Sequence, residues 1–395
     1  MGGGIMQLVA YGSQDVYLTG NPQITFFKLV YRRHTNFSIE PIRQIFSESP
    51  DFGKRVVCTI EKKGDLLSDI LLEVELPALS EDVSWTNGVG YFMIDTVELQ
   101  LGGEPIDRIS GDLMDAWMEL TTQLGIKNSL YTMIGKQSTF NKNSQTGHLK
   151  LLVPLPFWFT RSIERALPLI SMQYIDVRIV IIFKPFNQCW WQLTEATPAN
   201  TPSITRANLI CNYVYLDVFE RQKMAANPLF EYLIEQFQIE PVSGIAATTL
   251  NYTIQINFNH SVKELIWMYR SLEATNVNDY YNYSNILNYY TPQETRYAPF
   301  NEMQVRFNGN DRFEMLPATF FYLYQPYRLH SCGTTQYIHV YSFALNPESV
   351  QPSGTCNFSK LDNVTMNFSC APNLQDGQIY IFATNYNILR IQSGM

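Results

Sequence analysis

The chain has 395 residues, 46% hydrophobic and 14% aromatic but only 16% charged, where an average domain carries about 25% charge. Such a chain can bury enough apolar area to fold, which excludes disorder, and its length fits two or three domains. With 28 basic and 36 acidic residues the net charge is -8, which argues against a protein that coats a polyanion.

The N-terminus, Met1-Gly-Gly-Gly-Ile-Met6, has neither the basic n-region nor the apolar h-region of a secretory signal. Gly2 invites a myristoylation reading, but Met6 stands where that motif needs Ser or Thr. No run approaches the roughly 20 apolar residues of a membrane span. Residues 1–43 carry four cations, Lys28, Arg32, Arg33 and Arg43, against Asp15 and Glu40. A basic arm on an acidic chain fits docking to an acidic partner or surface, or a solvated turn with local ion pairs.

Alternating apolar and polar residues then dominate. Val56–Ile60, Ile70–Leu76, Val97–Leu101, Leu149–Leu155, Ile175–Phe183 and Leu209–Val218 read as strands, separated by Gly, Pro, Asn and Asp clusters. One helix is expected over Gly111–Leu124, with Leu113, Trp117, Leu120 and Leu124 on one face. Many short strands and few helices point to an all-β sandwich or barrel.

The second half repeats the first. Asp69–Val74 is echoed by Lys263–Met268, Thr96–Gly102 by Glu302–Asn308, Asp176–Ile181 by Asn363–Phe368, and Leu209–Val218 by Ile379–Ile388. Four echoes in one order imply two similar β-domains, joined near Arg221–Pro228. The expected division is an arm and lead-in over 1–50, a first domain over 51–222 and a second over 223–395. Within the second copy, Asn276–Tyr297 has little periodicity and is rich in Tyr and Asn. It reads as an exposed loop, either a binding surface carried by Tyr280, Tyr281, Tyr283, Tyr289 and Tyr290 or a tolerant connection.

Motifs for chemistry are missing. Gly135-Lys136 lacks the upstream glycine and the following Ser or Thr of a phosphate loop. Gly88-Val-Gly90 has Met93 where a dinucleotide fold needs a third glycine, and Pro241 occupies the first position of a would-be Gly-x-Ser-x-Gly elbow. Of five histidines none forms a His-x-His pair, and the spacing of His330, Cys332 and His339 fits no common zinc pattern. No catalytic, cofactor or metal residues are nominated. The six cysteines are dispersed as buried thiols would be, and seven Asn-x-Ser/Thr triplets are what an Asn-rich chain produces by chance.

Several strings are more specific. Gln7–Gly12, Asp15–Phe27 and Tyr31–Arg33 closely resemble the major capsid proteins of nucleocytoplasmic large DNA viruses, nearest to the phycodnavirus branch. So do Glu231–Gln236, Asn257–His260, Asn308–Arg312, Ser342–Leu345, Gln351–Ser359 and Asn385–Ile391, so the resemblance spans the chain. It implies an all-β double jelly roll, two eight-stranded antiparallel sandwiches in succession with a few short helices in loops. It implies a non-enzymatic homotrimer forming a pseudo-hexagonal capsomer beside neighbouring capsomers, in an icosahedral shell assembled in the host cytoplasm. The arm, with Lys28, Arg32 and Arg33, would lie at the capsomer base toward minor capsid proteins and an internal membrane, with no direct nucleic-acid contact. The loop at Asn276–Tyr297 would face outward. Short second-domain loops and an ending at Gln392–Met395 keep a minor capsid paralogue open as an alternative, with a glycan-binding jelly roll behind it.

Overall fold

The computed structural model describes residues 2–79, 83–137, 147–191, 201–227, 229–287, 295–333 and 336–392. Residues Met1–Asn36 form a unit of their own, with short helices at Gly3–Val9 and Val16–Thr19 that bury no residue. Lys28, Arg32 and Arg33 are exposed on it.

From Phe37 onward the alternation noted above becomes two β-sandwiches. The first is built from β1 (Phe37–Gln44), β2 (Arg55–Thr59), β3 (Leu66–Leu76), β4 (Ile94–Leu101), β5 (Glu104–Ser110), β6 (Leu149–Pro154), β7 (Val177–Phe183) and β8 (Arg206–Leu216). They pair antiparallel in the orders β1-β8-β3-β6 and β2-β7-β4-β5. The second uses β9 (Leu229–Ile239), β10 (Asn251–Ile256), β11 (Ser261–Ser271), β12 (Phe300–Phe307), β13 (Asn310–Asp311), β14 (His339–Ser342), β15 (Val364–Cys370) and β16 (Gly377–Gln392). Its orders are β9-β16-β11-β14 and β10-β15-β12-β13, the first pair shifted by eight, with short extra strands at the margins. Both are jelly rolls.

Three of the four sequence echoes coincide face for face. Val97 and Leu99 take the places of Met303 and Val305, Val177, Ile179 and Ile181 those of Val364, Met366 and Phe368, and Leu209 and Cys211 those of Ile379 and Ile381, all in cores. The fourth is out by one residue. It sets Leu72 against Ile266, but Leu72 points into its sandwich while Leu265 and Trp267, not Ile266, fill the second. A one-residue slip exchanges the two faces of a strand. Even the hairpins agree. Gly102-Gly103 and Asn308-Gly309 join β4 to β5 and β12 to β13, and all four residues have positive φ (62°, 93°, 48° and 82°), as a two-residue primed turn requires.

The expected helix ends sooner, as α1 (Gly111–Thr121), and a second, α2 (Leu124–Ile134), follows it. The Ser110 hydroxyl caps α1 by accepting from the Leu113 N–H, and Leu113, Trp117 and Leu120 line its apolar face. Only glycine fits at 111, because a Cβ there would sit 2.3 Å from the Tyr91 carbonyl oxygen. Helix α3 (Val218–Ala226) links the sandwiches, capped by Asp217. Two cores result. The second lies wholly inside its sandwich. The first runs out of its own sandwich onto the outer face of β9-β16-β11-β14, where Ile234, Phe237, Ile266, Met268, Val340 and Phe382 join it.

Candidate functional site: the seam between the sandwiches

Because β9-β16-β11-β14 is covered on both faces, every residue of β11 after Ser261 is buried, including Lys263, Glu264 and Arg270. Charges taken out of water need partners, and α1 with its neighbours supplies them. Arg270, 1% exposed, donates through Nη2 to Asp112 at 2.5 Å and to the Tyr280 carbonyl at 2.7 Å, and through Nη1 to the Tyr380 hydroxyl at 3.3 Å. Burial pushes the Asp112 carboxyl up, but Arg270 and then Lys184 outweigh it and hold the group below its ordinary value.

A turn further along α1, the Tyr283 hydroxyl donates to Asp115 at 2.9 Å. Lys136 bridges Asp115 and Glu119, lying 2.8 Å from the latter and 3.4 Å above the Tyr281 ring. Lys127 meets the other Glu119 oxygen at 2.5 Å. Burial alone would raise Glu119; the two lysines keep it below the usual range.

A third cluster joins the sandwiches beside Trp117, which meets Phe237 edge to face at 5.3 Å. Arg161 lies over both rings, at 4.4 and 4.6 Å. Its Nη1 reaches Glu235 at 2.7 Å, and Arg165 and Lys263 reach the same carboxylate at 2.9 and 3.0 Å. The Phe237 N–H of β9 donates to Asp107 of β5 at 3.1 Å, so the two strand edges are joined directly. Burial, only partly offset by these hydrogen bonds and by Arg161, pushes the Asp107 carboxyl up to about 7. His330 closes the series, 3.3 Å from Glu264 and 3.0 Å from Glu348. Burial lowers its pKa, but the two carboxylates prevail and lift it to about 9.

Residues 278–285 of the loop read as exposed are part of this seam, which corrects the expectation there. Tyr280 and Tyr283 are 5% and 1% exposed and Tyr281 is half-buried. The cause is Arg270, whose donors need the Tyr280 carbonyl, and the first sandwich, which grips Asn278. Thr86 donates to the Asn278 carbonyl at 2.5 Å, and the Asn278 amide donates to the Trp190 carbonyl at 2.7 Å. Residues 278–285 are therefore a clasp reaching from the second sandwich into the first. Tyr289 and Tyr290 lie outside the described residues. His330, Cys332 and His339 have separate surroundings. His330 sits between carboxylates, Cys332 accepts from Lys127 at 3.5 Å, and His339 stacks on Trp267 inside the second sandwich. Near Ser110 a cleft of about 840 Å³ opens between the sandwiches, where Arg108, Lys184 and Arg270 alternate with Asp95, Asp112 and Glu240. This arrangement binds one half of the chain to the other.

Comparison with known proteins agrees over the whole length. The model for "Major capsid protein N-terminus" matches residues 25–217, and that for "Large eukaryotic DNA virus major capsid protein" matches residues 220–395. The major capsid protein of Pyramimonas orientalis virus is 38% identical, with 100% of this chain and 98% of the relative covered. The chain belongs to the major capsid proteins of the large eukaryotic DNA viruses. Another member, the major capsid protein of Paramecium bursaria Chlorella virus 1, is 35% identical over 100% of this chain and 98% of its own. A solved chain from that virus's capsid superposes with a TM-score of 0.81 at 30% identity, covering 94% of this capsid protein and 98% of the solved one. The Faustovirus major capsid protein shares the double jelly roll at only 12% identity, again with a TM-score of 0.81. This capsid protein is thus a structural, non-enzymatic component of a virion.

Proposed function

We propose that three copies of this chain associate into a pseudo-hexagonal capsomer, and that such capsomers tile an icosahedral shell assembled in the host cytoplasm. The observation that carries this reading is the seam. Two like sandwiches, locked side by side by buried ion pairs and one continuous core, are a rigid double tile, and three such tiles supply six similar units. Native mass spectrometry of the purified chain tests it. A species near three times 45.6 kDa, with a hexagonal outline in negative stain, is the expected result. A chain that stays monomeric at every concentration overturns it and favours a minor capsid role.

The arm fits the base of such a capsomer, facing minor capsid proteins and an internal membrane. Within residues 1–36 it presents Leu8, Tyr17, Phe26 and Phe27, each more than 80% exposed, together with Lys28, Arg32 and Arg33. Apolar side chains in that number need a covering partner. Reversing the charge at Arg32 and Arg33 is expected to leave trimers intact and to impair shells, and unimpaired shells would remove this role.

A further inference from the structure

Within the chain, the seam joins two particular surfaces. Helix α1, inserted with α2 between β5 and β6 of the first sandwich, lies on the outer face of β9-β16-β11-β14 of the second, with Asp112 on Arg270 and Trp117 on Phe237. The internal repeat supplies each surface a second time, and there it is open.

The second sandwich also inserts a helix at this point in its order. Between β13 and β14 a π-helical turn, Phe320–Tyr324, runs into the α-helix Gln325–Leu329. Phe321 is buried in its own core, yet Leu323, Tyr324 and Tyr327 are 43%, 51% and 79% exposed. With Pro317, Thr319 and Phe320 they form an open apolar hollow. The first sandwich offers the counterpart of the covered sheet, the outer face of β1-β8-β3-β6. Across it run the rows Arg43–Ile210–Leu71–Pro154 and Asn208–Glu73–Leu152, with Ile39 and Leu152 45% and 38% exposed. Facing strands bring paired residues to one side, so these rows are a mixed apolar and charged surface like the covered one. Both pairs of surfaces also carry charge. In the internal seam, Asp112 of α1 meets Arg270 of the sheet. In the open pair the helix carries Arg328, and the sheet carries Asp69 beside the ion pairs Glu73–Arg43 and Glu75–Lys150.

We propose that the helical segment 320–329 of one copy docks on the outer face of β1-β8-β3-β6 of a second copy, repeating between chains the seam that joins the sandwiches within one. The proposal rests on the trimer reading and deepens it by naming the faces. Each chain then has one helical segment to give and one sheet face to receive, a head-to-tail contact that closes as a ring. Three chains would place six like seams around it, three internal and three between copies.

Two double variants test the proposal by native mass spectrometry, Leu323→Glu with Tyr327→Glu on the helix, and Ile39→Glu with Leu152→Glu on the sheet. All four side chains are at least partly exposed in the single chain, so unchanged thermal melting of each variant is the folding control. The wild type is expected to be trimeric and each variant alone monomeric. An equal mixture should yield a heterodimer, because one intact helix then meets one intact sheet face. A trimeric wild type with either variant also trimeric sinks the assigned faces and leaves the trimer standing. A wild type that never trimerises sinks both. Should a variant fail to fold, oxidative footprinting of the wild type decides instead. Labelling of Tyr327 must fall when monomer becomes trimer, and equal labelling in the two states overturns the proposal.

Discussion

Strands β3 and β11 hold the same place in their sandwiches, yet one alternates between buried and half-buried residues along most of its length while the other is buried almost throughout. Their inner faces match, Ile70, Leu72 and Val74 against Leu265, Trp267 and Tyr269. Their outer faces are also similar in kind. β3 presents Leu71 among Asp69, Glu73 and Glu75, and β11 presents Ile266 and Met268 among Lys263, Glu264 and Arg270. What differs is the cover. The β11 charges meet buried partners on other elements, Asp112, Glu235 and His330. The β3 carboxylates Glu73 and Glu75 meet Arg43 and Lys150, whose side chains are 58% and 72% exposed. Charge on a strand therefore does not mark it as solvent-facing; the position of its partner decides.

The largest break in this comparison comes from Arg270→Ala. It leaves Asp112 buried without its cation, which costs about 3–5 kcal/mol. Urea unfolding should register that loss, and adding Asp112→Asn should recover part of it, since the stranded charge is then gone. A loss no larger than that of a surface substitution would mean the seam is hydrated. Next comes Met268→Ala, which opens a cavity between the sandwiches at about 2–5 kcal/mol. Leu71→Ala, at the half-buried counterpart face, should cost distinctly less in the same assay, and equal losses would erase the distinction drawn here.

His330 sharpens the comparison through pH. Its folded pKa of about 9 lies above the ordinary value near 6.5, so its stabilisation is complete below the lower value and fades as pH rises through the higher. The amount at stake is on the order of 3 kcal/mol. Asp107 is also raised, to about 7, but its contribution declines at lower pH, from the usual carboxylate range up to that value. Between about pH 7 and pH 10 the wild type should lose stability, while His330→Gln starts lower and stays flatter. Parallel curves for the two proteins would assign the alkaline loss to some other group.

How far the sequence reaches follows from these same residues. Alternation located the strands because one face of each is apolar, and the order of the echoes revealed the duplication because both cores need the same residues at the same steps. Lys28, Arg32 and Arg33 were legible as charge, but charge alone does not state a contact. The seam was hidden. Its signal is the unbroken apolar run Leu265–Tyr269 between Lys263-Glu264 and Arg270, the mark of a strand covered twice. Read for one face, that run gave an echo slipped by a residue. Asn276–Tyr297 misled for a related reason. Tyr and Asn serve an exposed binding loop and a buried polar clasp equally well, and only Arg270 and Thr86, distant in sequence, distinguish them. The helical segment 320–329 was also missed, its mix of aromatics carrying no clean helical stripe.

Arg43→Ala is the smallest expected effect, and its value lies in where it acts. Arg43 makes two hydrogen bonds to Glu73, 3.0 and 2.9 Å, on the open face of β1-β8-β3-β6. The Arg43 side chain is 58% exposed there and Glu73 still reaches water, so the melting temperature of the isolated chain should barely move, unlike that of Arg270→Ala. If the helical segment of a second copy covers this face, the pair is desolvated on association and its loss takes from Glu73 its hydrogen-bonded cation inside the contact. Arg43→Ala should then weaken the trimer, and raising salt should weaken the wild-type trimer less than it would an exposed contact. A variant that melts like the wild type yet dissociates at higher concentration would show one ion pair acting as a surface pair within the chain and as a buried pair between chains.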